Sequence, residues 1–124
     1  RTGEVTYVNA GHYPPCILKK NGTVEELPQS MNLMVGILDS FEYPEDKCKL
    51  EPGDTLFTFT DGVTEAMSAD FQMYSDARLH RNLSGMAADS CQQIIDTIKA
   101  DIATHTEGAE QSDDITMLVL KRLQ

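Results

Sequence analysis

The residues best placed to do chemistry are three aspartates. Asp61 follows the strand-like run Thr55-Leu56-Phe57-Thr58-Phe59-Thr60, and the pair Asp113-Asp114 comes just before the apolar run Ile115-Thr116-Met117-Leu118-Val119-Leu120. If these two runs are antiparallel neighbours, the end of one lies beside the start of the other, about 4.8 Å across. The carboxylates then converge. Carboxylates gathered at one end of a sheet repel one another unless a cation sits among them, and an all-oxygen ligand set suits Mg²⁺ or Mn²⁺ better than zinc. The competing reading is that Asp61-Gly62 and Asp113-Asp114 are ordinary turn residues, favoured for local hydrogen bonding and unusual backbone angles. Spacing alone leaves both open.

The charge balance bears on this choice. Ten Lys and Arg against twenty Asp and Glu give a formal charge of −10, which repels a phosphate backbone and argues against nucleic acid as a partner. An acidic protein that handles phosphate must concentrate positive charge locally, and a divalent cation does so. Cys16, Cys48 and Cys91 are widely spaced and form no Cys-x-x-Cys, so neither a zinc site nor a disulfide framework is expected. No apolar run approaches the roughly 20 residues of a membrane span, and no signal-peptide pattern is present. A cytoplasmic location is expected. The 124 residues are 40% hydrophobic, enough for one core. They begin on Arg1 and enter a strand pattern within a few residues, which reads as a piece of a longer chain.

The elements that must position the aspartates fall into two halves. Strand patterns occur at Val5-Thr6-Tyr7-Val8, Cys16-Ile17-Leu18 and Thr23-Val24-Glu25-Glu26-Leu27, with Asn21-Gly22 as a hairpin turn, so a short meander is expected. A further extended stretch runs from about Phe41 to Leu50, and Pro52-Gly53-Asp54 turns it into the strand before Asp61. Beyond this the pattern becomes helical. Ser75 can cap a short helix carrying Leu79 and Leu83, and Asp89 or Ser90 can cap a longer one, Ser90-x-x-Gln93 fitting a capping box, whose Ile94, Ile95, Ile98 and Ile102 share a face. After a loop at Gly108 to Gln111, the nearly all-apolar final run is expected to be a central strand covered on both faces. The fold class is α+β, in layers.

Four motifs extend the reading: Val8-Asn9-Ala10-Gly11-His12-Tyr13-Pro14-Pro15, Leu50-Glu51-Pro52-Gly53-Asp54, Phe59-Thr60-Asp61-Gly62-Val63-Thr64-Glu65-Ala66 and Asp113-Asp114-Ile115-Thr116. In order and separation they resemble the stage II sporulation protein E-type serine/threonine phosphatases of the bacterial PPM (protein phosphatase 2C-like) superfamily. The resemblance runs over essentially the whole chain, residues 1–124. It implies the C-terminal portion of one PPM-type catalytic domain, a layered β-sandwich flanked by helices, with the N-terminal part missing.

The implied activity is hydrolysis of phosphoserine or phosphothreonine by a water activated between two Mg²⁺ or Mn²⁺ ions. Asp61 and Asp113 are the implied metal ligands. Asp114 is a supporting neighbour, and Gly62 lets the backbone approach, though a plain turn glycine serves equally well. Asn9 and His12 invite a catalytic reading, but a role in fixing the turn before Pro14-Pro15 is preferred. Glu65 holds a metal-bound water, caps a helix or is simply exposed to solvent. The implied substrate is a phosphorylated protein, an anti-sigma-factor antagonist in a partner-switching pathway. The family's further Asp-Gly motif, which supplies ligands to both metals from upstream, is not among these residues, and relatives' Phe-Gly between Glu65 and Leu79 is replaced by Phe71 and Met73-Tyr74-Ser75. The expectation is therefore weak or absent metal binding, no activity for these residues alone, and self-association through uncovered sheet edges. The alternative is a non-catalytic PPM-like regulatory or interaction module.

Overall fold

The computed structural model describes residues 2–28, 32–111 and 113–124. Among these residues six strands and three helices follow in the order β1 (Glu4–Tyr7), β2 (Cys16–Leu18), β3 (Val24–Glu26), β4 (Asp46–Lys49), β5 (Thr55–Phe59), α1 (Asp61–Thr64), α2 (Asp76–Ser84), α3 (Cys91–His105) and β6 (Met117–Lys121). The strands form an antiparallel four-stranded sheet in the order β3-β2-β5-β6 and a separate antiparallel pair, β1-β4. The architecture is α+β, as the order of strands followed by helices and a closing strand suggested.

Side-chain alternation along the strands builds the layers. One face of the larger sheet presents Cys16, Leu18, Phe57 and Phe59 to Leu79 and Leu83 of α2 and to Ile94, Ile98 and Ile102 of α3. The opposite face presents Ile17 and Leu56, which pack with Leu27 and Leu50 and with Val5, Tyr7 and Cys48 of the β1-β4 pair. The result is a helical layer, a four-stranded sheet and a two-stranded sheet. Ser90 and Gln93 make the reciprocal capping box at the start of α3. Asp101 binds the two longer helices together: its carboxylate accepts hydrogen bonds from Arg78, Asn82 and the Tyr74 hydroxyl.

Several expectations change. The first three strand patterns do not make a meander, because β1 pairs with β4 while β2 and β3 form the hairpin. The turn after β1 sends the chain from one sheet to the other. Asn9 holds that turn, its side chain accepting from the His12 N–H at 2.8 Å and donating to the His12 carbonyl at 2.9 Å. Within the stretch 41–50 only Asp46–Lys49 is strand. Ser75 stands at the N-cap of α2, but with φ at 72° its side chain caps nothing. Among the described residues the last strand is not central. It is the outer strand of its sheet, with Leu118 62% and Leu120 49% exposed while Met117 and Val119 pack inward. An unbroken apolar run shows that both faces tolerate apolar contact, not that both are covered.

Candidate metal-binding end of the β5-β6 pair

β5 and β6 are antiparallel neighbours in the register Phe59↔Met117, so the segment following β5 meets the segment preceding β6. Asp61 is the first residue of α1, and Asp113-Asp114 lies across from it. Three hydrogen bonds join the segments. Thr60 donates its N–H to the Thr116 carbonyl at 3.0 Å, its hydroxyl donates to the Asp114 carbonyl at 2.8 Å, and that same hydroxyl accepts the Thr116 N–H at 3.0 Å. Gly62 completes the junction. A Cβ there would lie 2.8 Å from the Asp114 carbonyl carbon and would overlap its oxygen, so α1 can rest on the Asp114-Ile115 peptide only through a residue without a side chain. Gly62 and Asp113 also line one small recess together with Gln111 and Ile115.

Asp61, Asp113 and Asp114 are exposed. Asp113 accepts the Asp114 N–H on Oδ1 at 2.7 Å, and among the described residues none of the three aspartates forms an ion pair. Carboxylates brought to one sheet end with no ion-pair partner among the described residues suit a hard cation, and Mg²⁺ in particular is commonly held by one or two carboxylates with water completing its shell. No group of three or more His, Cys, Asp or Glu side chains arranged for a metal occurs among the described residues. The described residues by themselves therefore do not make a complete metal site.

The other residues singled out from the sequence sit elsewhere. Asn9 is buried and spends its amide on the turn; its own carbonyl accepts from Asn32 at 2.7 Å. His12 is exposed. Both border a groove that also reaches Thr60 and Thr116, yet neither bonds to Asp61, Asp113 or Asp114. Glu65 accepts the Tyr13 hydroxyl at 3.4 Å while its N–H donates to the Asp61 carbonyl at 2.9 Å. Asp54 stabilises its own turn, accepting from the N–H groups of Lys20 and Glu51 and from the Lys19 ammonium, and these donors outweigh its burial to hold its pKa below the ordinary value. Thr60 escaped the sequence reading. A threonine between a strand and a helix reads as an N-cap, and only the pairing of β5 with β6 reveals where its hydroxyl goes.

Comparison with known proteins places this geometry. The family model described as Stage II sporulation protein E (SpoIIE) matches residues 1–123. The chain is 35% identical over 120 residues to Protein IcfG of Synechocystis sp., covering 97% of this chain and 19% of that protein. It is 30% identical to Phosphoserine phosphatase RsbU of Bacillus subtilis, covering 96% and 35%. The chain thus spans between about a fifth and about a third of these curated relatives. Among solved structures, the PP2C phosphatase domain of the cell-fate determinant SpoIIE from Bacillus subtilis, with a fragment of its regulatory domain, aligns with a TM-score of 0.77 at 25% identity, over 94% of this chain and 33% of that one. The SiaA-PP2C domain of Pseudomonas aeruginosa shares the fold, with a TM-score of 0.81 at 20% identity, over 98% of this chain and 47% of that one. The fold is therefore part of a PP2C-type phosphatase domain, and the chain belongs to the stage II sporulation protein E (SpoIIE) family.

Proposed function

We propose that these residues form part of the catalytic domain of a Mg²⁺- or Mn²⁺-dependent protein serine/threonine phosphatase, with Asp61 and Asp113 as metal ligands. The observation that carries the reading is the junction of β5 and β6, where the two aspartate-bearing segments are pinned together by Thr60 and by the close approach of Gly62. Membership of the family and the similarity to a phosphoserine phosphatase supply the reaction class. A bound pair of divalent cations supplies Lewis-acid chemistry to the phosphoester and its attacking water. The chain's own part is to hold two carboxylates at fixed positions, to keep cationic side chains away from them, and to anchor the Asp114 main chain. Asn9 and His12 serve the turn, and Glu65 serves contact with Tyr13.

Two carboxylates cannot complete a two-metal site, so the 124 residues alone are inactive, and activity belongs to a polypeptide that supplies the remaining ligands. The substrate is a phosphorylated protein, an anti-sigma-factor antagonist of a partner-switching pathway in the cytoplasm. No helix among the described residues is long and apolar enough to cross a membrane.

The test is Mn²⁺-dependent hydrolysis of a phosphoserine protein by the polypeptide that carries these residues. Asp61→Ala and Asp113→Ala should each lower kcat/KM a hundredfold or more, corresponding to loss of about 3 kcal/mol of transition-state stabilisation. Wild-type rates in both variants would overturn the ligand assignment. No Mn²⁺-dependent hydrolysis in the unmodified polypeptide would favour a non-catalytic regulatory module, a reading that the small ligand set among the described residues also accommodates.

A further inference from the structure

Thr60 occupies the N-cap of α1, yet its side chain makes no cap hydrogen bond. Threonine at that position ordinarily accepts from an N–H of the first turn. Continuing the register Phe59↔Met117 sets Thr60 opposite Thr116, and the bond from Thr60 N–H to the Thr116 carbonyl identifies this as a pair that should exchange two main-chain bonds. The return bond does not go to the Thr60 carbonyl, which instead accepts the Val63 N–H at 3.0 Å as α1 begins. The Thr60 hydroxyl takes its place, accepting the Thr116 N–H at 3.0 Å and donating to the Asp114 carbonyl at 2.8 Å. One hydroxyl thus lets β5 become helix at Asp61 while the strand carrying Asp113-Asp114 stays tied alongside.

We infer that Thr60 is a positioning residue that fixes the Asp113-Asp114 segment relative to Asp61, so that its hydroxyl sets the affinity for the divalent cation. The inference rests on the proposed metal-ligand reading and adds to it a residue that touches neither metal nor substrate. A group orienting ligands from behind commonly changes metal affinity by 10- to 100-fold when removed. Valine keeps the shape and β-branching of threonine but leaves the Thr116 N–H and the Asp114 carbonyl without this partner; serine keeps the hydroxyl.

The experiment measures Mn²⁺ affinity by calorimetry, together with hydrogen exchange at the Thr116 amide, in the polypeptide that carries these residues. Thr60→Val should weaken Mn²⁺ binding roughly tenfold or more and speed exchange at Thr116, whereas Thr60→Ser should stay within about twofold of wild type on both readouts. Two results would overturn the inference: unchanged Mn²⁺ affinity in Thr60→Val despite faster exchange at Thr116, or a tenfold loss of affinity in Thr60→Ser. The second holds even if the valine variant does not fold. Asp61→Ala and Asp113→Ala, measured alongside, separate the two levels. If they bind Mn²⁺ normally, the ligand reading itself fails; if they lose binding while Thr60→Val keeps it, only the role of Thr60 fails.

Discussion

A methyl group added at two glycines distinguishes a crowded site from a merely flexible turn. Gly62 lies within α1, where helix propensity favours alanine by about 1 kcal/mol. Local backbone preference therefore predicts that Gly62→Ala stabilises. Tertiary packing predicts the reverse. The new Cβ would sit 2.8 Å from the Asp114 carbonyl carbon, against 3.4–4 Å for ordinary contact, and it would overlap the carbonyl oxygen. The atoms in its way are backbone and cannot rotate aside, so the Asp113-Asp114 segment must shift by more than half an ångström. Overpacking of this kind costs about 1–3 kcal/mol, and stretching the bond from the Thr60 hydroxyl to Asp114 costs about 1 kcal/mol more. Set against the propensity gain, the net is a destabilisation of about 1–3 kcal/mol.

Gly85 is the control. It is the C-cap of α2 at φ −82° and ψ −5°, a conformation open to alanine, and a Cβ there meets nothing nearer than 3.7 Å. Gly85→Ala should stabilise by about 0.4–1 kcal/mol through the unfolded chain. Urea unfolding of both variants gives the two signs, and a Mn²⁺ titration of Gly62→Ala should show weakened binding. If Gly62→Ala raises the unfolding midpoint as Gly85→Ala does and binds Mn²⁺ normally, the β5-α1 junction does not constrain the Asp113-Asp114 segment, and the positional reasoning about Asp61 and Asp113 falls with it.

Two further predictions concern the helical layer and the buried thiol. Hydrogen bonds from Arg78, then from Tyr74 and Asn82, hold the Asp101 carboxyl at about 2, against an ordinary 3.8, despite opposition from burial. Because the folded value is depressed, the carboxylate's contribution is full above pH 3.8 and is lost as pH falls towards 2. Allowing for its partial exposure, that contribution is about 1–2 kcal/mol. Unfolding free energies of wild type and Asp101→Asn should differ most at neutral pH and converge between about pH 4 and pH 2, and a constant gap would refute the assignment. Cys16 is fully buried, and burial pushes its thiol up to about 12. Iodoacetamide at pH 8 should therefore modify the half-buried Cys91 well before Cys16 in the folded protein, as read by peptide mass spectrometry. Equal labelling would show that the helical layer opens readily.

Much of this molecule is decided locally and was legible in its residues. The α3 capping box, the stripe of Ile94, Ile98 and Ile102 with Ile95 only half-buried at its edge, the hairpin across Asn21-Gly22 and the class of the fold depend on interactions a few residues apart or on a simple period. The ordered motifs likewise carried the family. Strand partners were not legible in the same way, because pairing is set by which surfaces meet after collapse. β1 therefore turned out to lie beside β4, and among the described residues the apolar run at β6 is an outer strand with one face exposed.

The candidate site divides along the same line. The sequence by itself determined that Asp61 and Asp113-Asp114 flank two strands, since strand-forming side chains and turn-forming aspartates announce themselves one residue at a time. Only the tertiary structure decided that those strands are neighbours, that Gly62 is needed for contact with the Asp114 peptide rather than for its own turn, and that the Thr60 hydroxyl serves the opposite strand instead of its helix. Each of these depends on atoms some 50 residues apart in the chain, and no local preference encodes which distant carbonyl or N–H will be within reach.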